Sequence, residues 1–183
     1  NLSRILAHVS IPITPPLHIE FDEGGSATCP VLKRTDVDKK NSVIGYVTGK
    51  EIKRIVDKYE KTIFKLNPRE YIGKTKVNKA ILATLNSKHK PKFWKLNNGI
   101  SASCDVIKEI TPATSPPKYE VENMKIRNGR QTTYTLANFP GDLDGVQVKT
   151  VIHELINQEE GALISRATNN QNKVSAIDLI TDE

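Results

Sequence analysis

Residues 119–139 read "YEVENMKIRNGRQTTYTLANF", and the fold turns on where this stretch changes its period. Up to Gly129 it reads as a strand, with Met124 and Ile126 pointing inward. Beyond it, "RQTTYTLANF" begins a helix, and Asn128-Gly129 supplies a corner that tolerates positive φ. A strand that runs straight into a helix argues for an α+β domain in which helices flank a mixed sheet.

The corner carries chemistry as well as shape. The first amides of a helix have unsatisfied donors and partial positive charge, so an anion is welcome there. Arg127 and Arg130 add forked donors suited to phosphate, while Gln131, Thr132 and Thr133 both donate and accept. The plainer account of the same residues is a turn and a helix cap that brace neighbouring loops. Three other stretches share the flavour. "NPREYIGKTKVNKA" brings Arg69, Lys74, Lys76, Asn78 and Lys79; "LNNGIS" brings Asn97 and Asn98; and "SRATNNQNKVSAIDL" brings Arg166, Thr168, Asn169, Asn170, Gln171 and Asn172. Four such stretches in one domain suggest a shared polar surface.

Outward from the corner, "NNGISASCDVIKEI" alternates as one half-buried strand, with Ile100, Ala102, Cys104 and Val106 on its inner face. "TPATSPPK" is a proline-broken loop. "FPGDLDG" turns into the strand "VQVKTVIHEL", with Val146, Val148 and Val151 inside. Ile52, Ile55, Val56, Tyr59 and Ile63 recur at helical spacing, ending near "LNPRE". A second helix fits residues 75–88, with Thr75 as N-cap and Val77, Ile81, Leu82 and Leu85 as its buried stripe. Residues 1–49 read as an N-terminal segment of short strands and turns, and 50–183 as the α+β domain. The end of the chain reads as two helical patches separated by an Asn/Gln/Lys loop.

Composition sets limits. The 183 residues carry a net charge of +6, which favours a polyanionic partner. No apolar run approaches the roughly 18 residues of a membrane span. Cys29 and Cys104 show neither zinc-site nor disulfide-framework spacing, which fits a reducing cytoplasm. Both chain ends look cut from a longer protein, the C-terminus within a helix.

The stretches "FKLNPREYIGKTKVNKAILATL", "FWKLNNGISASCD", "YEVENMKIRNGRQTTYTL", "VQVKTVIHEL" and "ISRATNNQNKVSAIDL", in that order, resemble the AIPR proteins, named for abortive infection and phage resistance. The resemblance covers the chain from about Lys50 to Asp182. The family's corner more often reads Val-Asn-Gly-Cys-Gln-Thr, so Arg127 and Arg130 make this one more basic. The resemblance implies an intracellular bacterial or archaeal antiviral-defence protein, often encoded beside restriction-type systems. A weaker likeness links "NGRQTTYTL" to the phosphate-holding corner of ParB-like nucleotide-binding and nuclease proteins, although Asn128 stands where their motif has a carboxylate.

Catalytic signatures are thin. Asp142, Asp144, Gln147 and Lys149 superficially match a nuclease metal motif, but the short spacing leaves only a tight turn between them, and Glu122 and Lys125 are misspaced for the same motif. His8, His18, His89 and His153 are scattered, and no phosphate-cradling glycine loop is present. The expected phosphate or nucleic-acid set is therefore Arg69, Lys76, Asn78, Asn97, Asn98, Arg127, Asn128, Arg130, Gln131, Thr132, Arg166, Asn169 and Gln171, with no catalytic residue, metal ligand or cofactor assigned. The leading expectation is a phage-defence protein whose domain binds nucleic acid or nucleotide phosphate. The alternatives are a restriction-type nuclease with carboxylates partly outside this chain, and a protein-interaction module. Expected partners are nucleic acid or nucleotide, with a second copy or a defence-system protein as further candidates, and no membrane.

Overall fold

Two stretches expected to be single strands are each broken in two, and at the same level. The computed structural model describes residues 12–22, 31–64, 75–110 and 116–170. In it β1 spans Leu17–Glu20, β2 Leu32–Thr35, β3 Asn41–Thr48, α1 Gly49–Ile63 and α2 Lys76–Leu85. A 3-10 turn at Lys90–Lys92 leads into α3, Phe93–Leu96. Then follow β4 Ile100–Cys104, β5 Val106–Glu109, β6 Lys118–Glu122, β7 Lys125–Asn128, α4 Arg130–Ala137, β8 Gln147–Glu154 and α5 Gln158–Asn170. The class is α+β.

The breaks fall at Asp105 and Asn123. β4 and β7 pair antiparallel in a five-stranded sheet of order β2-β3-β8-β4-β7, while β5 and β6 pair in a three-stranded sheet of order β1-β6-β5. One long bent hairpin thus serves both sheets. Asn123 takes a left-handed φ of 53° and donates from Nδ2 to Asp105 Oδ2 at 2.9 Å, and the Asp105 amide donates to Glu122 O at 3.0 Å. The alternation slips by one at the bend: Ile100, Ala102 and Cys104 are buried, but then Ile107 goes inside and Val106 faces water.

Elsewhere the local rules hold. Thr48 caps α1 by accepting from the Glu51 amide at 3.1 Å, and Ile52, Ile55, Val56 and Ile63 form its buried stripe. Thr75 caps α2 as expected, accepting from the Asn78 amide at 3.2 Å. The buried stripe of α2 differs from expectation: Asn78, Ile81 and Leu85 are inside, whereas Val77 and Leu82 are exposed. β8 differs in phase. Val146, Val148, Thr150 and Ile152 face the core and Val151 lies on the opposite face, so the inward positions step by two throughout. The Thr150 hydroxyl is accommodated by donating to Val148 O at 3.1 Å.

A single hydrophobic cluster runs from Leu17, Ile19 and Phe21 through Val43 and Val47 to Ile126, Leu136 and Ile152. β3 pairs with β8 from Ser42↔His153 to Thr48↔Gln147, so residues before 49 complete the sheet that carries the corner. The second helical patch beyond α5, and most of the proline-broken loop, lie outside the described residues. No helix among the described residues is long and apolar enough to cross a membrane.

Candidate functional site

Two Asn-Gly corners meet back to back. Gly129 adopts φ 90° and Gly99 φ 82°, and a Cβ on Gly129 would stand 2.6 Å from Gly99 O. Only glycine permits both the dihedral and the approach. Each corner is closed by its own asparagine: Asn97 Oδ1 accepts from the Gly99 amide at 2.9 Å, and Asn128 Oδ1 from the Gly129 amide at 2.7 Å. Asn97 Oδ1 also accepts from Thr132 Oγ1 at 3.2 Å, and Asn128 Nδ2 donates to Thr168 O of α5 at 3.2 Å. Asn97, Asn98, Asn128 and Thr132, picked out along the sequence, are therefore brought together, with Thr168 joining from α5.

The corners open on a groove of about 360 Å³ across the face of the five-stranded sheet. Its walls are Asn98-Gly99 on one side and Asn128 with Thr168 on the other, and its floor is Ser101, Lys149, Val151 and His153. Strand register explains the floor. Val151 lies opposite Ser101 on β4 and Ile44 on β3, and Lys149 opposite Tyr46, so these residues share one face. The exposed Lys149 ammonium has no ion-pair partner among the described residues. His153 Nδ1 lies 2.9 Å from Ser42 Oγ; burial lowers the imidazole's pKa from its ordinary value, and Glu160 draws it part of the way back.

The two arginines of the corner go elsewhere. Arg127 is only 4% exposed, held by Ser103 Oγ at 2.6 Å and approached by Gln158 Oε1 at 3.5 Å, with Gly161 of α5 packed against its guanidinium. Its expected place at an open anion site is corrected: α5 covers it, and a side chain on Gly161 would collide with it. Arg130 stacks over Phe64 at 5.1 Å and Tyr134 at 5.6 Å, where Tyr134 donates to Glu60.

Asn78 is also displaced from the expected surface. It is 3% exposed, and neither of its amide atoms has a hydrogen-bond partner among the described residues. α2 packs on α4, where Gln131 Oε1 and Thr135 Oγ1 are likewise buried without partners. Lys76 and Arg166 are exposed, on α2 and α5. Asn169 lies in the last turn of α5, which continues through residues expected to form a loop. Arg69 and Gln171 fall outside the described residues.

Lys149 and His153 stand outside the expected phosphate-binding set, because the sequence presents Lys149 only within a misspaced metal motif and His153 only as one of four scattered histidines. Cross-strand partners make them a site. The acids once weighed as nuclease ligands are engaged at an exposed turn: Lys50 pairs with Asp144, Lys90 reaches Asp142 at 3.2 Å, and Gln147 donates to Asp22 at 2.7 Å. No group of three or more His, Cys, Asp or Glu that could hold a metal occurs among the described residues. Cys104 is a buried free thiol whose pKa burial raises.

Comparison with known proteins identifies a family. The family model described as "AIPR protein" aligns with residues 64–183, spanning α2, β4–β8, α4 and α5 and therefore both Asn-Gly corners. No curated protein and no solved structure matches the chain. Such a domain points to phage defence by abortive infection in general terms. With well over half its length matched and the paired corners inside that span, this chain belongs to the AIPR family.

Proposed function

We propose that the domain serves phage defence by binding the phosphate of a nucleic acid or nucleotide in the groove between its two Asn-Gly corners. The observation that carries this is an exposed lysine, Lys149, with no ion-pair partner among the described residues, on the floor of a groove walled by Asn98 and Asn128. A bare ammonium is a point cation for phosphate, and amide groups position a sugar-phosphate backbone without selecting sequence. Net charge of +6 raises the encounter rate with any polyanion. Arg127 and Arg130 act indirectly, Arg127 by anchoring α5 against β7 and Arg130 by bracing α4 against Phe64.

Fluorescence anisotropy of labelled DNA, RNA and a nucleoside triphosphate at two salt concentrations tests the proposal. Affinity should fall steeply with salt because phosphate contacts release counterions. Lys149→Ala should weaken binding and reduce the magnitude of the salt slope by about 1. Salt-insensitive binding, or none to any of these ligands, would contradict the proposal.

A further inference from the structure

The face that carries the groove continues beyond it. Strand pairing sets Leu32, Ile44, Val151, Ser101 and Asn128 in one row across all five strands, and Arg34, Ser42 and His153 in the next. None of these positions is acidic. Arg34 is exposed, as Lys149 is, and has no ion-pair partner among the described residues.

Beside this row lies an aromatic pair. Tyr46, directly opposite Lys149, meets the Trp94 ring edge-on, with centroids 5.8 Å apart at 81°. Trp94 is 37% exposed, and the Lys95 ammonium sits 5.3 Å from the centre of its ring. Ile44 is also exposed, and Leu32 at the outer edge is 60% exposed. Water-facing aromatic and aliphatic groups interleaved with bare cations need a partner that offers flat apolar faces and negative charge together.

We infer that the occupant of this face is a single strand of nucleic acid rather than a duplex, with bases laid against Trp94, Tyr46 and Ile44 and phosphates at Lys149, Lys95 and Arg34; this rests on the phosphate site proposed above. A duplex keeps its base faces stacked inside. It could meet the cations but would leave Trp94 and Ile44 in water. A single strand splays its bases onto a sheet while its backbone follows the positive charge. DNA and RNA strands share that chemistry.

Trp94 is the only tryptophan in the chain, so it reports on its own surface. The experiment titrates the chain with a short labelled single strand of DNA, the same sequence in RNA, and the DNA annealed to its complement. Label anisotropy and intrinsic tryptophan fluorescence are read together. Single strands of at least one sugar type should bind at least tenfold tighter than the duplex and quench the tryptophan saturably. Trp94→Ala should cost about fivefold or more on single strands, with Trp94→Phe restoring most of the loss. Anisotropy that rises equally for duplex and single strand without quenching would overturn the single-strand inference and leave the phosphate site standing. No anisotropy change with any probe would overturn both.

Discussion

The two faces of β8 are built from alternate residues of one eight-residue strand, yet they are made for opposite purposes. Val148, Thr150 and Ile152 have no exposed surface, and Val148 and Ile152 belong to the hydrophobic cluster. Lys149, Val151 and His153, one residue out of phase, line an open groove with a cation that no acid among the described residues answers. One face trades its contacts for stability. The other withholds them, and unmet groups held on a rigid sheet are what a binding surface requires. A second cationic surface sharpens the point: on α1, Lys50 pairs with Asp144, Lys53 with Asp57 and Arg54 with Glu51, so much of its charge is already met.

The largest effect should come from the core face. Ile152→Ala removes a fully buried side chain from the central strand of the five-stranded sheet, and urea denaturation should show a loss of about 2–5 kcal/mol. A loss no larger than that of a surface substitution would remove the distinction between the faces. Gly129→Ala strikes the junction of the corners. It forces a residue with a Cβ to a φ of 90° and presses that Cβ to 2.6 Å from Gly99 O, so the expected cost is about 1–3 kcal/mol. Wild-type stability in Gly129→Ala would mean that the two corners do not touch.

His153 should give the smallest of these effects, and one confined to acid. Its folded-state pKa is held below the ordinary 6.5 mainly by burial, so the unfolded chain binds the extra proton first as pH falls. The stability tied to its neutral form is complete above about pH 6.5 and is lost below it, towards the folded pKa. Thermal melts from neutral to mildly acidic pH should therefore fall less steeply in His153→Gln than in wild type. Equal slopes would place the imidazole in water rather than against Ser42.

Much of the fold could be read from local signals. The caps at Thr48 and Thr75, the apolar stripe of α1 and the Asn128-Gly129 corner each follow from a few neighbouring residues. What could not be read required knowledge of non-local partners. "DVIKE" continues a plausible alternation past Asp105, and nothing in the string announces that Asn123, eighteen residues on, will bind that aspartate and bend both strands into a second sheet. The site divides in the same way. Asn97, Asn98, Asn128 and Thr132 are turn and cap residues, legible by type, whereas Lys149 and His153 become neighbours of the corner only through the parallel pairing of β4 with β8. Arg127 had the right chemistry for an anion, but α5 folds over it.

The central claim is that the open face of the five-stranded sheet holds the ligand phosphate, and residue-resolved NMR during titration with a short oligonucleotide tests it most directly. Backbone amide shifts should concentrate at Gly99, Ser101, Gly129, Lys149, Val151 and His153, and should shrink in Lys149→Ala, whose stability should stay within about 0.5 kcal/mol of wild type. Shifts confined to the basic surface of α1, or none at saturating oligonucleotide, would contradict it.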